Sequence, residues 1–239
     1  MSIAANEQGP AIHLTKISSG LTGISFSAYL VRYFSAMINL ASAMDESPRP
    51  TPINRETGWD KSKILMSKTD PYGVIEYAND AFIEVSGYEE HELMGKPHNI
   101  IRHPDMPRVV FKVLWDYLKK GRNIHAIVKN MSKSGRYYWV ITDFEVNTNE
   151  KGAITSYYGR RRAAPTEIVQ KHIEPLYDKL LQIESATGMV ASEKYLIGFL
   201  EDIGKTYNEF IEDIITEGLP PEERKAEEKK GFFTRLFAR

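Results

Sequence analysis

The sequence predicts an α+β fold: a five-stranded antiparallel sheet with helices on one face, followed by a C-terminal helical extension. Three observations carry this. Short apolar runs of two-residue period occur before residue 78 and again between 123 and 163; a helical stretch lies between them; and a helical pattern resumes at Thr166. Two strands, a helical crossover and three further strands can leave a cavity between sheet and helices.

Ile64 to Lys68 and Val74 to Tyr77 read as strands joined by Asp70-Pro71-Tyr72-Gly73, a turn sequence. Asn79 to Gly95 reads as two short helices broken at Gly87 and Gly95, and Pro107 to Lys120 as a longer one with proline in its first turn and Gly121 past its end. Asn123 to Met131, Arg136 to Val146 and Ala153 to Ala163 alternate as strands, separated by turn residues around Gly135 and Gly152. Helices follow over Thr166 to Glu184, with a bend expected at Pro175, near Ala191 to Ile203, and near Tyr207 to Thr216. Ahead of the sheet, residues 1–44 form an amphipathic leader and 45–59 a linker that Pro48, Pro50 and Pro52 keep from being helical throughout. Residues 60–164 form the strand-bearing domain, 165–218 a helical region, and 219–239 a charged spacer with an amphipathic basic tail.

Composition narrows the function. With 42% hydrophobic and 26% charged residues the chain has ordinary globular usage. A net charge of −1 argues against a protein built to hold nucleic acid by bulk charge. The absence of cysteine removes disulfides, iron-sulfur clusters and thiol nucleophiles, and is compatible with a reducing cytoplasm. Ile24 to Met44 is the longest apolar stretch, but Arg32 near its middle would cost roughly 3 kcal/mol in a bilayer. The opening Met1 to Pro10 lacks the basic start of a signal peptide. The six histidines include no His-x-x-x-His pair, so no metal site is expected, and no phosphate-binding loop or kinase motif suggests an enzyme.

Several segments are specific: Tyr77-Ala78-Asn79-Asp80-Ala81-Phe82, then Gly95-Lys96-Pro97-His98-Asn99-Ile100-Ile101-Arg102-His103-Pro104-Asp105-Met106-Pro107, Trp115, Val128-Lys129-Asn130 and Gly135-Arg136-Tyr137-Tyr138-Trp139-Val140. Together they resemble the PAS domain of bacterial aerotaxis and energy-taxis receptors. Arg49-Pro50-Thr51-Pro52-Ile53-Asn54 and Glu174-Pro175-Leu176-Tyr177 are similar to the soluble PAS subunits of bipartite energy-taxis systems. The resemblance implies a PAS fold over 60–164, an output role for 165–218, and a cytoplasmic redox sensor that binds FAD non-covalently. It also implies a partner: a membrane-bound chemoreceptor or its cytoplasmic signalling part. Without cysteine, a cysteinyl-flavin photoadduct cannot form. Ile124 stands where many members carry Trp, which keeps a cofactor-free PAS adaptor as the alternative; a haem ligated by His98 or His103 is a further one.

Strand alternation puts Ile124, Ala126, Val128 and Asn130 on one face, so Asn130 ends an apolar surface with an amide suited to the mixed polar edge of a flavin ring, or to capping a turn. Asn79 is a second candidate amide, more simply a helix cap. On the helix after Pro107, Phe111, Leu114, Trp115 and Leu118 form a stripe facing the sheet, by default core. The family resemblance adds cofactor contact for Trp115, and Phe111, on the same stripe, is a further candidate for cofactor binding. Arg102, His103 and Asp105 crowd a proline-bracketed segment; the plain reading is a turn in which Asp105 caps the next helix, whereas the resemblance implies that all three serve FAD binding. Arg160-Arg161-Arg162 divides between faces, with a solvated strand end as the expectation. Phe232, Phe233, Leu236 and Phe237, flanked by cations, suit docking on a partner or the inner membrane surface, or folding back onto the domain; a homodimer is left open.

Overall fold

The computed structural model describes residues 49–219. The leader at 1–44, the start of the linker, and the tail bearing Phe232, Phe233, Leu236 and Phe237 lie outside the described residues. Six strands form one sheet: β1 (Ile53–Glu56), β2 (Leu65–Thr69), β3 (Ile75–Ala78), β4 (Ile124–Met131), β5 (Arg136–Thr148) and β6 (Ile154–Ala163). The five expected strands, β2 to β6, are all antiparallel in the spatial order β4-β5-β6-β2-β3.

β1 is a sixth strand, drawn from the proline-rich linker. Ile53 and Glu56 pair in parallel with Arg136 and Tyr137. β4 holds one edge of β5, and pairing with β6 stops at Val140, so β1 takes the start of the other edge. Prolines keep this segment extended, and the Ile53 amide donates to the Gly135 carbonyl at 2.7 Å. Gly135 has φ +84°, and a Cβ there would collide with the Thr51 carbonyl oxygen. Gly135→Ala is therefore expected to lift β1 off the sheet, which limited trypsin digestion would report as faster cleavage after Arg55 with the remaining domain intact.

The crossover consists of α1 (Asp80–Ser86), α2 (Glu90–Leu93), a 3-10 turn at His98–Ile101, and α3 (Arg108–Leu118). Asn79 pins α1 to β2. Its Oδ1 accepts from the amides of Phe82 at 3.0 Å and Met66 at 2.9 Å, and its Nδ2 donates to the Ile64 carbonyl at 2.9 Å. Asn79→Ala removes all three bonds and is expected to destabilise the fold by about 2 kcal/mol in urea unfolding. On α3 the buried line is Val110, Leu114 and Leu118, with Phe111 and Trp115 half-buried beside it, so the helix is rolled slightly from the expected stripe.

Beyond the sheet, α4 (Thr166–Ile168) passes through five π-helical residues, Val169–Ile173, into α5 (Glu174–Thr187), followed by α6 (Met189–Asp202) and α7 (Tyr207–Glu217). Pro175 cannot donate to the carbonyl four residues back, and the wide turn before it takes the place of the expected bend. Strand register gives the sheet two buried faces. The inner face, with Leu65, Ala126, Val140 and Tyr138, lies under Phe82 of α1 and Leu114 of α3. The outer face is covered by the C-terminal helices: Tyr177 stacks obliquely on Trp139 at 6.2 Å, and its hydroxyl donates to the Ile127 carbonyl at 2.8 Å.

Both sheet edges are occupied as well. Along β4 the His125 amide donates to Asn208 Oδ1 at 2.8 Å, the Lys129 amide to Met106 Sδ at 3.2 Å, and Arg102 bridges Asn130. Along β3 the Ile75 amide donates to the Lys96 carbonyl, and the Gly95 amide to the Ile75 carbonyl, both at 2.9 Å.

Candidate functional site

Asn130 ends the inner face of β4, almost completely buried, and its Nδ2 has no hydrogen-bond partner. Directly opposite on β5 stands Tyr138, fully buried, with an unpartnered hydroxyl; Thr142, two positions on along the same face, has another. The Trp59 ring meets Tyr138 edge-on at 6.5 Å, and its Nε1 is also unpartnered. A buried polar group left unpaired costs about 1–3 kcal/mol. This end of the inner face thus presents a row of donors suited to a flat ligand with a polar edge.

The loop after the 3-10 turn runs beside these residues. Arg102 Nη2 donates to the Met106 carbonyl at 3.0 Å, and the guanidinium lies 4.3 Å from the centre of the Phe111 ring. Burial pushes the Arg102 pKa down to about 10, with Glu184 opposing the shift. His103 is buried, and its Nδ1 accepts from the Asp105 amide at 3.1 Å, which leaves the ring proton on Nε2. Burial, reinforced by Lys129, holds its pKa below the ordinary value. Asp105 does not cap α3; its exposed carboxylate pairs with Lys129 at 2.6 Å. Instead the first amides of α3 are claimed by Glu184 of α5: Val109 N donates to Oε1 at 2.9 Å and Arg108 N to Oε2 at 3.1 Å. Between this loop and α5 lies a cavity of about 430 Å³ lined by Arg49, Asn99, Arg102, Arg108 and Glu184, among others.

Arg102, His103, Asp105, Phe111 and Asn130 therefore come together at one end of β4. Trp115 stands a turn further along α3, edge-on to Tyr157 of the inner face at 5.6 Å. Asn79 does not join them. Both ends of its amide are committed to backbone, so the structure corrects its assignment to the binding set.

One further correction concerns charge. Arg161 is not solvated: it is 3% exposed, on the inner face, while Arg160 points the other way and pairs with Glu145 at 2.6 Å. Arg161 Nη1 donates to Ser67 Oγ at 2.9 Å and to the Gly159 carbonyl at 3.0 Å. Its Nη2 lies 3.1 Å from His98 Nε2. Arginine can only donate, so that nitrogen is the acceptor. With His98 Nε2 and His103 Nδ1 both accepting hydrogen bonds, neither lone pair is free for a haem iron. The opposite parity of Arg161 was the one readable sign of its place.

Part of the chain is similar to known proteins. A family model described as a PAS fold matches residues 75–161. Those residues have the PAS fold. Over 135 residues the chain is 43% identical to the aerotaxis receptor of Escherichia coli strain K12, a match covering 56% of this chain and 26% of that receptor. Over 72 residues it is 29% identical to the biofilm dispersion protein BdlA of Pseudomonas aeruginosa, covering 30% of this chain and 17% of that one. The chain thus spans only about a quarter of the receptor's length. Among solved structures, the light-state Aureochrome1 LOV photoreceptor aligns with 46% of this chain and 89% of its own, at 21% identity and a TM-score of 0.42. Asn130 lies on the inner face of the sheet, Arg102, His103 and Asp105 on the adjoining loop, and Phe111 and Trp115 on α3; among the described residues no helix is long and apolar enough to cross a membrane.

Proposed function

We propose that this chain is a cytoplasmic PAS redox sensor that holds FAD non-covalently on the inner face and signals, without catalysis, by contact with a membrane chemoreceptor. The supporting observation is the row of buried, unpartnered donors at Asn130, Tyr138 and Thr142, which fits the polar edge of an isoalloxazine ring. The match to the aerotaxis receptor supports the taxis role. FAD, when bound, would supply reversible electron chemistry.

In this reading Asn130 and Tyr138 orient the ring through its edge, and Trp115 with Tyr157 shields it from water. Arg102, with Arg49 and Arg108 around the adjoining cavity, gives phosphates a cationic lining. Coupling to the output runs through β4. Asn130 faces inward on this strand, while the Ile127 carbonyl holds Tyr177 of α5. A change in hydrogen bonding at Asn130 would bias how α5 to α7 seat on the outer face, and a receptor that prefers one seating would read it. The tail phenylalanines, outside the described residues, are a proposed second contact with the receptor or the inner membrane surface.

An absorbance spectrum of the purified protein before and after dithionite tests this. A flavin spectrum that bleaches is expected. In Asn130→Ala and Trp115→Ala the flavin content should fall several-fold, with little loss of folding stability. A colourless preparation that takes up no added FAD would return the chain to the adaptor reading.

A further inference from the structure

The PAS interior contains a charge that the protein leaves unbalanced. Arg161 is 3% exposed, yet its hydrogen bonds go to a serine hydroxyl, a backbone carbonyl and a neutral imidazole. Among the described residues no carboxylate forms an ion pair with it, whereas Arg160 beside it has Glu145. An isolated buried charge is costly, and natural proteins normally pair it.

The position is built rather than incidental. Gly159 lies beneath the guanidinium, where a Cβ would fall 2.5 Å from Arg161 Nη2. Ser67, paired with Gly159 in the sheet, receives Nη1, and the Phe82 ring lies 5.4 Å away. The charge is thereby laid flat along the inner face, across from Thr142, its partner on β5. The unpartnered hydroxyls of Thr142 and Tyr138 continue toward Asn130. A fixed cation at the end of a row of free hydroxyl and amide donors is an arrangement that recognises negative charge on a ligand.

We propose that Arg161 is the specificity-determining charge of this site, favouring the form of the bound ring that carries negative charge over the neutral form. This rests on the flavin reading above. Because the ring gains negative charge on reduction unless a proton follows each electron, Arg161 would set how readily the sensor is reduced. Asn130 and Trp115 decide whether the ring binds, and Arg161 decides which of its charge states binds better.

The test is a midpoint titration of the full chain with dithionite against a reference dye, for wild type, Arg161→Gln and Ser67→Asp. Arg161→Gln removes the charge. Ser67→Asp leaves the arginine in place and supplies the missing carboxylate at its hydrogen-bond partner, so either variant decides the matter if the other does not fold. Both are expected to keep flavin and to lose at least tenfold in relative affinity for the charged form. The midpoint then moves to more negative potential by about 30 mV for a two-electron couple or about 59 mV for a one-electron couple. Arg161→Lys should recover most of that shift. A midpoint unchanged in a folded, flavin-bearing variant, or a shift that lysine fails to recover, overturns the proposal. A wild-type protein that binds no flavin overturns the functional reading itself, a result visible before any variant is titrated.

Discussion

Glu184→Ala is expected to destabilise the protein by about 3 kcal/mol, the largest effect of any single surface-distant side chain outside the apolar core. The first turn of every helix has amides without intrahelical partners. In α3 the preceding residue is Pro107, whose side chain offers no acceptor, and Glu184 reaches across from α5 to take two of these amides. The carboxylate is itself buried, with Arg108 Nε at 3.4 Å. Truncation leaves two amides unsatisfied and opens a gap between α5 and α3. Urea unfolding followed by tryptophan fluorescence should show a lower midpoint. Glu184→Gln keeps one acceptor and should lose about 1 kcal/mol. Equal losses in the two variants would mean that packing, not the cap, holds α5 in place.

Acidification is the second large effect. His98 lies between Ser67, Arg161 and Phe82, and burial together with the Arg161 charge pushes its pKa from 6.5 down to about 3. A base whose folded pKa is depressed binds its proton more readily when unfolded. Stability contributed by neutral His98 is therefore complete above pH 6.5 and falls as pH drops toward 3. One pH unit in this window corresponds to about 1.4 kcal/mol at most; allowing for partial solvent contact, about 1 kcal/mol per unit is expected. His103, depressed by burial, adds in the same direction. Urea unfolding at pH 7, 5.5 and 4.5 should show this slope in wild type, and His98→Gln should reduce it. An unaltered slope in that variant would refute the assignment.

The local features of the fold were legible because they are local. Period-two runs gave β2 to β6, and Gly87 and Gly121 marked helix ends, since glycine readily takes the left-handed conformation found there. β1 was not legible. A four-residue strand paired in parallel at its start and end shows no alternation of burial, and all four residues are exposed. The outer-face packing of α5 to α7 was also hidden, because a helix pattern names its apolar stripe but not the surface that receives it. Within the site, the family-like loop drew attention to Arg102 and Asp105, while Arg161 sat in a run of three arginines that resembles a wet strand end. Only the parity of the strand distinguished it. Ser67 carried no sign at all, being one hydroxyl in an ordinary strand, and Asn79 carried a misleading one, since the same amide serves equally well as a fastener.

The occupied margins of the sheet bear on assembly. Amides and carbonyls that would otherwise be free to recruit a neighbouring chain are spent on Asn208, Met106, Tyr177 and the Gly95 to Lys96 backbone. Another molecule could not lengthen the β-structure at either flank without first displacing these contacts, so strand-by-strand polymerisation is blocked where such domains are most vulnerable to it.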